Sequence, residues 1–292
     1  MRDGRPSRTS EWVAALRAIY TEAPPALAVI DDPLAAQLLP DGVGRVVRWA
    51  GRAPFGPRLL HRALGALSLG LSFDVPLRSA AIDEVVRRAV GHGIRQLVLL
   101  GAGLDARAWR MPELEAVTVF ELDHPSTGAF KRERVGGLAP LAERVSFVAI
   151  DFERDPIDRA LVGAGFDPAE ASAWIWEGVA MYLSRPAVEA TLRAIAALSA
   201  PASVLAMTYI APDYASPPFK AIARRLSHVV GEPVHAEIGS DELEALLDRL
   251  GMDVESDDTA RDWARRYWPA AEARRVRVWE HLVVAIRRSR SR

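Results

Sequence analysis

Four short stretches carry residue types that can do chemistry together: Gly101-Ala102-Gly103-Leu104-Asp105, Glu121-Leu122-Asp123, Asp151-Phe152 and Glu177-Gly178. Each follows an apolar run. Glycines at such a turn let the backbone approach a ligand with no Cβ in the way. An acid at the end of the next run can accept both hydroxyl hydrogens of an adenosine ribose. Asp151 can accept from an adenine amino group, and Phe152 offers that ring an apolar face. Glu177 suits an amino group or a cation at the opposite end of the same ligand. Each also has a plainer role: a glycine turn is often only tight, and a strand-end Asp such as Asp151 often caps a helix. Glu121 and Asp123 face the same side of a strand, so one can bind ribose while the other only holds a loop. Their occurrence in order, on successive segments, is much harder to explain as chance.

A parallel sheet would bring all four stretches to one edge. QLVLLGAG, AVTVFELD, RVSFVAID, SAWIWEGV and SVLAMTYI, beginning at Gln96, Ala116, Arg144, Ser172 and Ser203, are near-continuous apolar runs. Strands buried on both faces of a parallel sheet have that texture. Helical segments such as Ser184–Ala200 alternate with them, so the pattern is βαβαβ and the fold class α/β. In such sheets ligands bind beyond the carboxyl ends of the strands. Before residue 95 the chain reads as helices: Ser10–Tyr20 with a Ser cap, Asp32–Leu39 with Pro at its first position, and Pro76–Gly93 closed by Gly. Asp241–Met252 reads as helical, VESDDT follows, then a long Arg- and Trp-bearing helix, and Glu280–Arg288 is the last strand candidate. The Pro-rich segment Ala211–Leu226 is a loop or lid over a site, or a plain connection. The expected organisation is one compact domain: a helical cap over residues 1–94 leading into a core over 95–292, with a lid segment about 211–240.

Composition removes several function classes. The chain has 292 residues, half of them apolar, enough for a substantial core. A net charge of −1 gives no reason to expect a nucleic acid or an anionic membrane as partner. Cys is absent, which excludes disulfides, thiolate nucleophiles and Cys-based zinc or iron–sulfur sites. The scattered histidines form no metal or triad spacing, so no metal is expected; His124, beside Asp123, reads as a loop or cofactor-edge residue. The apolar run Leu64–Phe73 is too short to span a bilayer, and the N-terminus has no signal-peptide core, so a cytoplasmic protein is expected.

Two cofactors compete for the glycine turn. Gly101, Gly103 and Ala106 satisfy G-x-G-x-x-[GA], with Glu121 about 20 residues on, so an NAD(P)-dependent oxidoreductase is the alternative. Against it stand the long helical segment before the first strand, the absence of Arg or Lys within the turn, and Asp105, whose carboxylate would repel a pyrophosphate at a helix N-terminus. S-adenosyl-L-methionine (SAM) has an adenosine, no phosphate, and an amino acid bearing a sulfonium, so acids around it make sense.

The set LGAGLDARAWR, VFELDHP, IDFE and WIWEGVAMYL resembles the leucine carboxyl methyltransferase superfamily, most of all its bacterial branch of SAM-dependent methyltransferases abundant in mycobacteria and other actinomycetes. The resemblance runs from RTSEWVAALRA to TYIAP and weakens beyond. It implies a class I, Rossmann-like, mostly parallel seven-stranded sheet with helices on both faces. It also implies roles: Arg78 pairs with the methionine carboxylate, Gly101, Ala102 and Gly103 lie against the amino-acid part, Asp123 holds the ribose, Asp151 and Phe152 frame adenine, and Glu177 sits near the methionine amino group. Arg78 is equally readable as a solvated helix arginine. The eukaryotic enzymes carry a basic residue before the early D-P; PPALAVID, before Asp32-Pro33, has none, and Arg17 is the candidate replacement.

The acceptor implied is a carboxylate of a small molecule or peptide, which is ionised at neutral pH and needs no general base, so no catalytic residue is assigned. The product would be S-adenosyl-L-homocysteine. Tyr20, Tyr182 and Tyr209 are candidate linings of the acceptor pocket, each also readable as a core aromatic with a satisfied hydroxyl. A phenolic acceptor would want a base. A protein that binds SAM without turnover is the third reading.

Overall fold

The computed structural model describes residues 8–52, 56–67, 71–212, 235–278 and 280–289. Seven strands form one sheet: β1 Gln96–Leu100, β2 Thr118–Asp123, β3 Arg144–Ala149, β4 Ser172–Trp176, β5 Val204–Tyr209, β6 Met252–Thr259 and β7 His281–Arg287. Their order across the sheet is β3-β2-β1-β4-β5-β7-β6. The β1–β2, β1–β4, β2–β3 and β4–β5 pairs are parallel, and β7 alone runs against its neighbours β5 and β6.

The apolar texture of the central strands follows from burial on both faces. Leu97 and Leu99 of β1, with Ala173 and Ile175 of β4, enter one hydrophobic cluster. Val98 and Leu100, with Trp174 and Trp176, enter the other. Alternate side chains point to opposite faces, so both parities must be apolar. The first cluster also takes in α1 (Arg8–Thr21) and α5 (Asp74–Gly91). Helical cap and sheet therefore share one core, continuous from Ala14 to Val284. The second cluster holds α8 (Ile157–Gly163), α9 (Arg185–Leu198) and α10 (Ser240–Arg249). Ser184 caps α9 by accepting from Ala187 N, and Pro186 sits within its first turn, as the run Ser184–Ala200 predicts.

Three elements depart from expectation. Two helices that the sequence does not single out within the expected helical cap, α3 (Asp41–Arg52) and α4 (Gly56–Leu67), lie between the α2 turn (Ala35–Leu38) and α5. VESDDT belongs to β6, an edge strand whose burial alternates, leaving one side to solvent; four acids there hide the strand propensity. The expected long helix after it is two pieces, α11 (Ala260–Tyr267) and α12 (Ala270–Ala273), broken at Trp268-Pro269. Of the lid segment about 211–240, residues 213–234 lie outside the described residues. Among the described residues no helix is long and apolar enough to cross a membrane.

Candidate active site

β1 ends in a turn whose shape requires glycine twice. Gly101 has φ +68° and Gly103 φ +52°. A Cβ on Gly101 would run into the Val179 side chain of the segment after β4. The turn is tied to β2 through Gly101 N and Ala102 N, which both donate to Leu122 O at 2.8 and 3.1 Å. The short helix α6 (Arg107–Arg110) follows directly.

Above this turn lies a cleft of about 360 Å³, in the size range of small-molecule sites. Gly101, Ala102 and Gly103 line it, with Asp123 from β2, Asp151 and Phe152 beyond β3, Glu177 beyond β4, and Arg78 from α5. All eight residues that the sequence singles out for the cofactor meet there. Arg17 and Tyr182 line it as well. The sheet explains the convergence: parallel neighbours bring successive strand ends to one edge.

Tyr20 and Tyr209 do not line this cleft. Tyr20 is fully buried, its hydroxyl 2.8 Å from His61 Nδ1 and its ring stacked on Trp268; burial, reinforced by Glu272, pushes its pKa well up. Tyr209 donates to Asp257 Oδ2 at 2.5 Å and lies 2.8 Å from Ser240 Oγ. Both are core aromatics with satisfied hydroxyls, the plainer of their two readings.

Asp123 and Glu121 divide their roles as the spacing allows. Asp123 Oδ2 accepts Gly103 N at 2.5 Å and Oδ1 accepts His124 N at 2.6 Å. Each oxygen keeps a further acceptor position for a ligand hydroxyl. Burial raises the Asp123 pKa against the pull of those two N–H groups. Glu121 is 2% exposed and pairs with Lys131 Nζ at 2.6 Å away from the cleft, and burial pushes its pKa up to about 7. Asp151 serves two ends: its Oδ1 accepts Glu153 N at 3.0 Å, closing the turn after β3, while the residue still lines the cleft.

Beneath the cleft runs a chain of buried ion pairs that includes residues not singled out from sequence. Glu177 Oε1 accepts Arg78 Nε at 2.9 Å, and Oε2 accepts Arg107 Nη1 at 2.9 Å. Burial disfavours the Glu177 charge, but Arg107 and Arg78 outweigh it and hold the carboxyl down to about 2. Arg107 also holds Asp83 and Asp105, and Arg110 grips Asp83 with two nitrogens at 2.7 and 2.8 Å. Arg78 holds Glu280 and Asp74 through Nη1, and its Nη2 has no hydrogen-bond partner among the described residues. Arg78 is thus a buried network arginine and not a solvated one. Arg17 Nε donates to Asp32 Oδ2 at 2.9 Å and Arg17 Nη2 to Leu104 O at 2.5 Å, so it does stand beside the D-P that the sequence left without a base. Asp105 does not face the cleft as a bare charge: it pairs with Arg107, and its Oδ1 caps Arg107 N at 2.7 Å. Its supposed repulsion of a pyrophosphate is therefore weaker than its position suggests. Arg107 itself was legible only as one of many arginines.

Comparison with known proteins decides between the two cofactors. The leucine carboxyl methyltransferase family model matches residues 10–196, well over half of the chain. The chain belongs to the leucine carboxyl methyltransferase family. A protein of Mycobacterium sp. (strain KMS), named as a SAM-dependent methyltransferase, is 40% identical over 208 residues, 70% of this chain and 67% of that one. A similarly named protein of Mycobacterium avium (strain 104) is 39% identical over 207 residues, 68% and 63% of the two chains. A Thermobifida fusca YX crystal structure described as a methyltransferase shares the fold, with TM-score 0.63 at 16% identity over 98% of this chain and 96% of that one. This family member is a SAM-dependent methyltransferase, and the oxidoreductase alternative falls.

The cleft fits that cofactor chemically. Its acids and glycines suit an adenosine and an amino acid, Phe152 supplies an apolar face, and the two arginines of its lining, Arg17 and Arg78, are each ion-paired with a carboxylate. Among the described residues no group of His, Asp and Glu could hold a metal ion. Sequence reasoning passed over His235, Thr127 and Val13, which also line the cleft. His235 is positioned by its backbone N–H on Met181 O at 2.8 Å, a contact between distant segments that no local pattern announces.

Proposed function

We propose that this family member transfers a methyl group from SAM to a carboxylate oxygen of a small molecule or peptide. The observation that carries the reading is the pairing of an acid-and-glycine cofactor cleft with Arg17 on its wall. Arg17 Nη1 has no hydrogen-bond partner among the described residues, so a guanidinium is available to an anionic acceptor. The cofactor supplies an electrophilic methyl on a sulfonium.

The chain's own residues bind and orient. Asp123 holds the ribose hydroxyls, Asp151 and Phe152 hold the adenine, and Gly101, Ala102 and Gly103 admit the amino-acid part. Arg78 takes the cofactor carboxylate through Nη2. Glu177, kept ionised by Arg107 and Arg78, faces the ammonium. An ionised acceptor needs no proton removed. In this cleft the acceptor oxygen would take the methyl as the bound cofactor's sulfur gives it up, so that anion and cation would become two neutral groups. An apolar wall from Val13, Leu104, Val179 and Leu183 favours that loss of charge and excludes water. Tyr182 joins the acceptor side of the same wall.

The test is methyl transfer from methyl-labelled SAM to a panel of carboxylic acids and peptides with a free C-terminus. A base-labile methyl ester is the expected product. His124 and His235 on the cleft wall favour a second reading, a phenolic acceptor that gives up its proton to an imidazole. A base-stable ether would select it.

A further inference from the structure

Next to the cofactor cleft, and sharing no lining residue with it, lies a larger cleft of about 720 Å³ walled by arginines. Arg62 comes from α4, Arg261 from the first turn of α11, and Arg274, Arg275 and Arg277 from the segment leading into β7. Phe73 and Val276, both almost fully buried, give it an apolar floor. Gly65 lets α4 close over that floor, since a Cβ there would meet the Phe73 ring.

The five guanidinium groups are nearly uncompensated. Arg275 pairs with Glu272 Oε2 at 2.9 Å. No carboxylate among the described residues pairs with Arg62, Arg261, Arg274 or Arg277. The buried arginines of this chain are each held by carboxylates, as around Glu177 and Asp83, and its net charge is −1. Four unpaired cations around one concavity repel one another, and a multiply charged anion relieves that repulsion. Guanidinium groups match phosphate oxygens in geometry.

The cleft also sits at the working edge of the sheet. Thr259 at the end of β6 and Tyr209 at the end of β5 both pair with His281 at the start of β7. Arg261 and Arg277 therefore flank the edge where the cofactor cleft opens. Phe73 and Arg78, one lining each cleft, are five residues apart at the start of α5, about 7.5 Å of helix rise.

We propose that the arginine cleft is a second ligand site, specific for a phosphate or pyrophosphate group carried by a soluble compound or a lipid headgroup. It is independent of which acceptor takes the methyl.

Titration calorimetry of the full chain with inorganic pyrophosphate tests it, with a SAM titration on the same preparation. Saturable binding is expected. In R274A/R277A, whose side chains are exposed, it should weaken on the order of tenfold or more with SAM affinity unchanged. Flotation with phosphatidylcholine vesicles, with and without phosphatidic acid, separates the sources. Pyrophosphate binding without flotation assigns a soluble phosphate; flotation that needs phosphatidic acid and is lost in the double variant assigns a headgroup. Normal SAM binding with neither response overturns the proposal, as does a response equal in wild type and variant. Loss of SAM binding by wild type would instead count against the cofactor assignment.

Discussion

Arg107 Nη1 reaches Glu177 Oε2 at 2.9 Å, joining the helix that opens after β1 to the end of the adjacent strand β4. Arg107 is 1% exposed and serves Asp83 and Asp105 as well. Removing it leaves three carboxylates short of a partner in a buried site. Arg107→Ala should lower stability by about 3–5 kcal/mol, measured by urea unfolding. Stability close to wild type would remove the network from its structural role.

Acid should dismantle the same network. The Glu177 pKa is depressed to about 2 in the folded protein, against about 4.3 for an unperturbed Glu. A depressed acid contributes stability that is fully present above its unfolded pKa and lost as pH falls towards its folded one. The stability gap between wild type and E177Q should therefore be constant above about pH 5 and shrink between about pH 4.3 and 2. Urea midpoints at a series of pH values read it; a gap unchanged down to pH 3 would contradict it.

Gly101 is the turn residue least open to change. At φ +68° a side chain costs about 1–2 kcal/mol from conformation alone, before overlap with Val179. Gly101→Ala should destabilise the protein and weaken SAM binding together. The double variant G101A/V179A should recover part of the stability in thermal melts, since it removes the overlap and leaves the strain.

Tyr209 offers the converse. Its hydroxyl serves Asp257 and Ser240, outside the cofactor cleft. Tyr209→Phe should cost about 1 kcal/mol of stability and leave SAM affinity unchanged in calorimetry. A large loss of affinity would return Tyr209 to the pocket.

The particular residues explain what sequence could and could not reveal. β1 and β4 are visible because both parities of each strand are buried, which forces an unbroken apolar run. The acids of the cleft are visible because a parallel sheet turns chain order into adjacency. β6 is hidden because an edge strand with one wet face tolerates MDVESDDT. Arg107 and His235 are hidden for another reason: their partners lie up to 70 residues away in sequence for Arg107 and over 50 for His235, and only tertiary packing selects them. Tyr20, at a helix end, and Tyr209, at a strand end, misled because each has the same local pattern whether its hydroxyl faces a ligand or a neighbouring side chain such as His61 or Asp257.

The central claim, that SAM sits on the strand ends with Asp123 at its ribose, is tested most directly by titration calorimetry of wild type and Asp123→Ala with SAM and with NADH. One SAM site per chain, no NADH binding, and an affinity at least about tenfold weaker in the variant are the predicted result. NADH binding without SAM binding, or a D123A affinity equal to wild type, would contradict it.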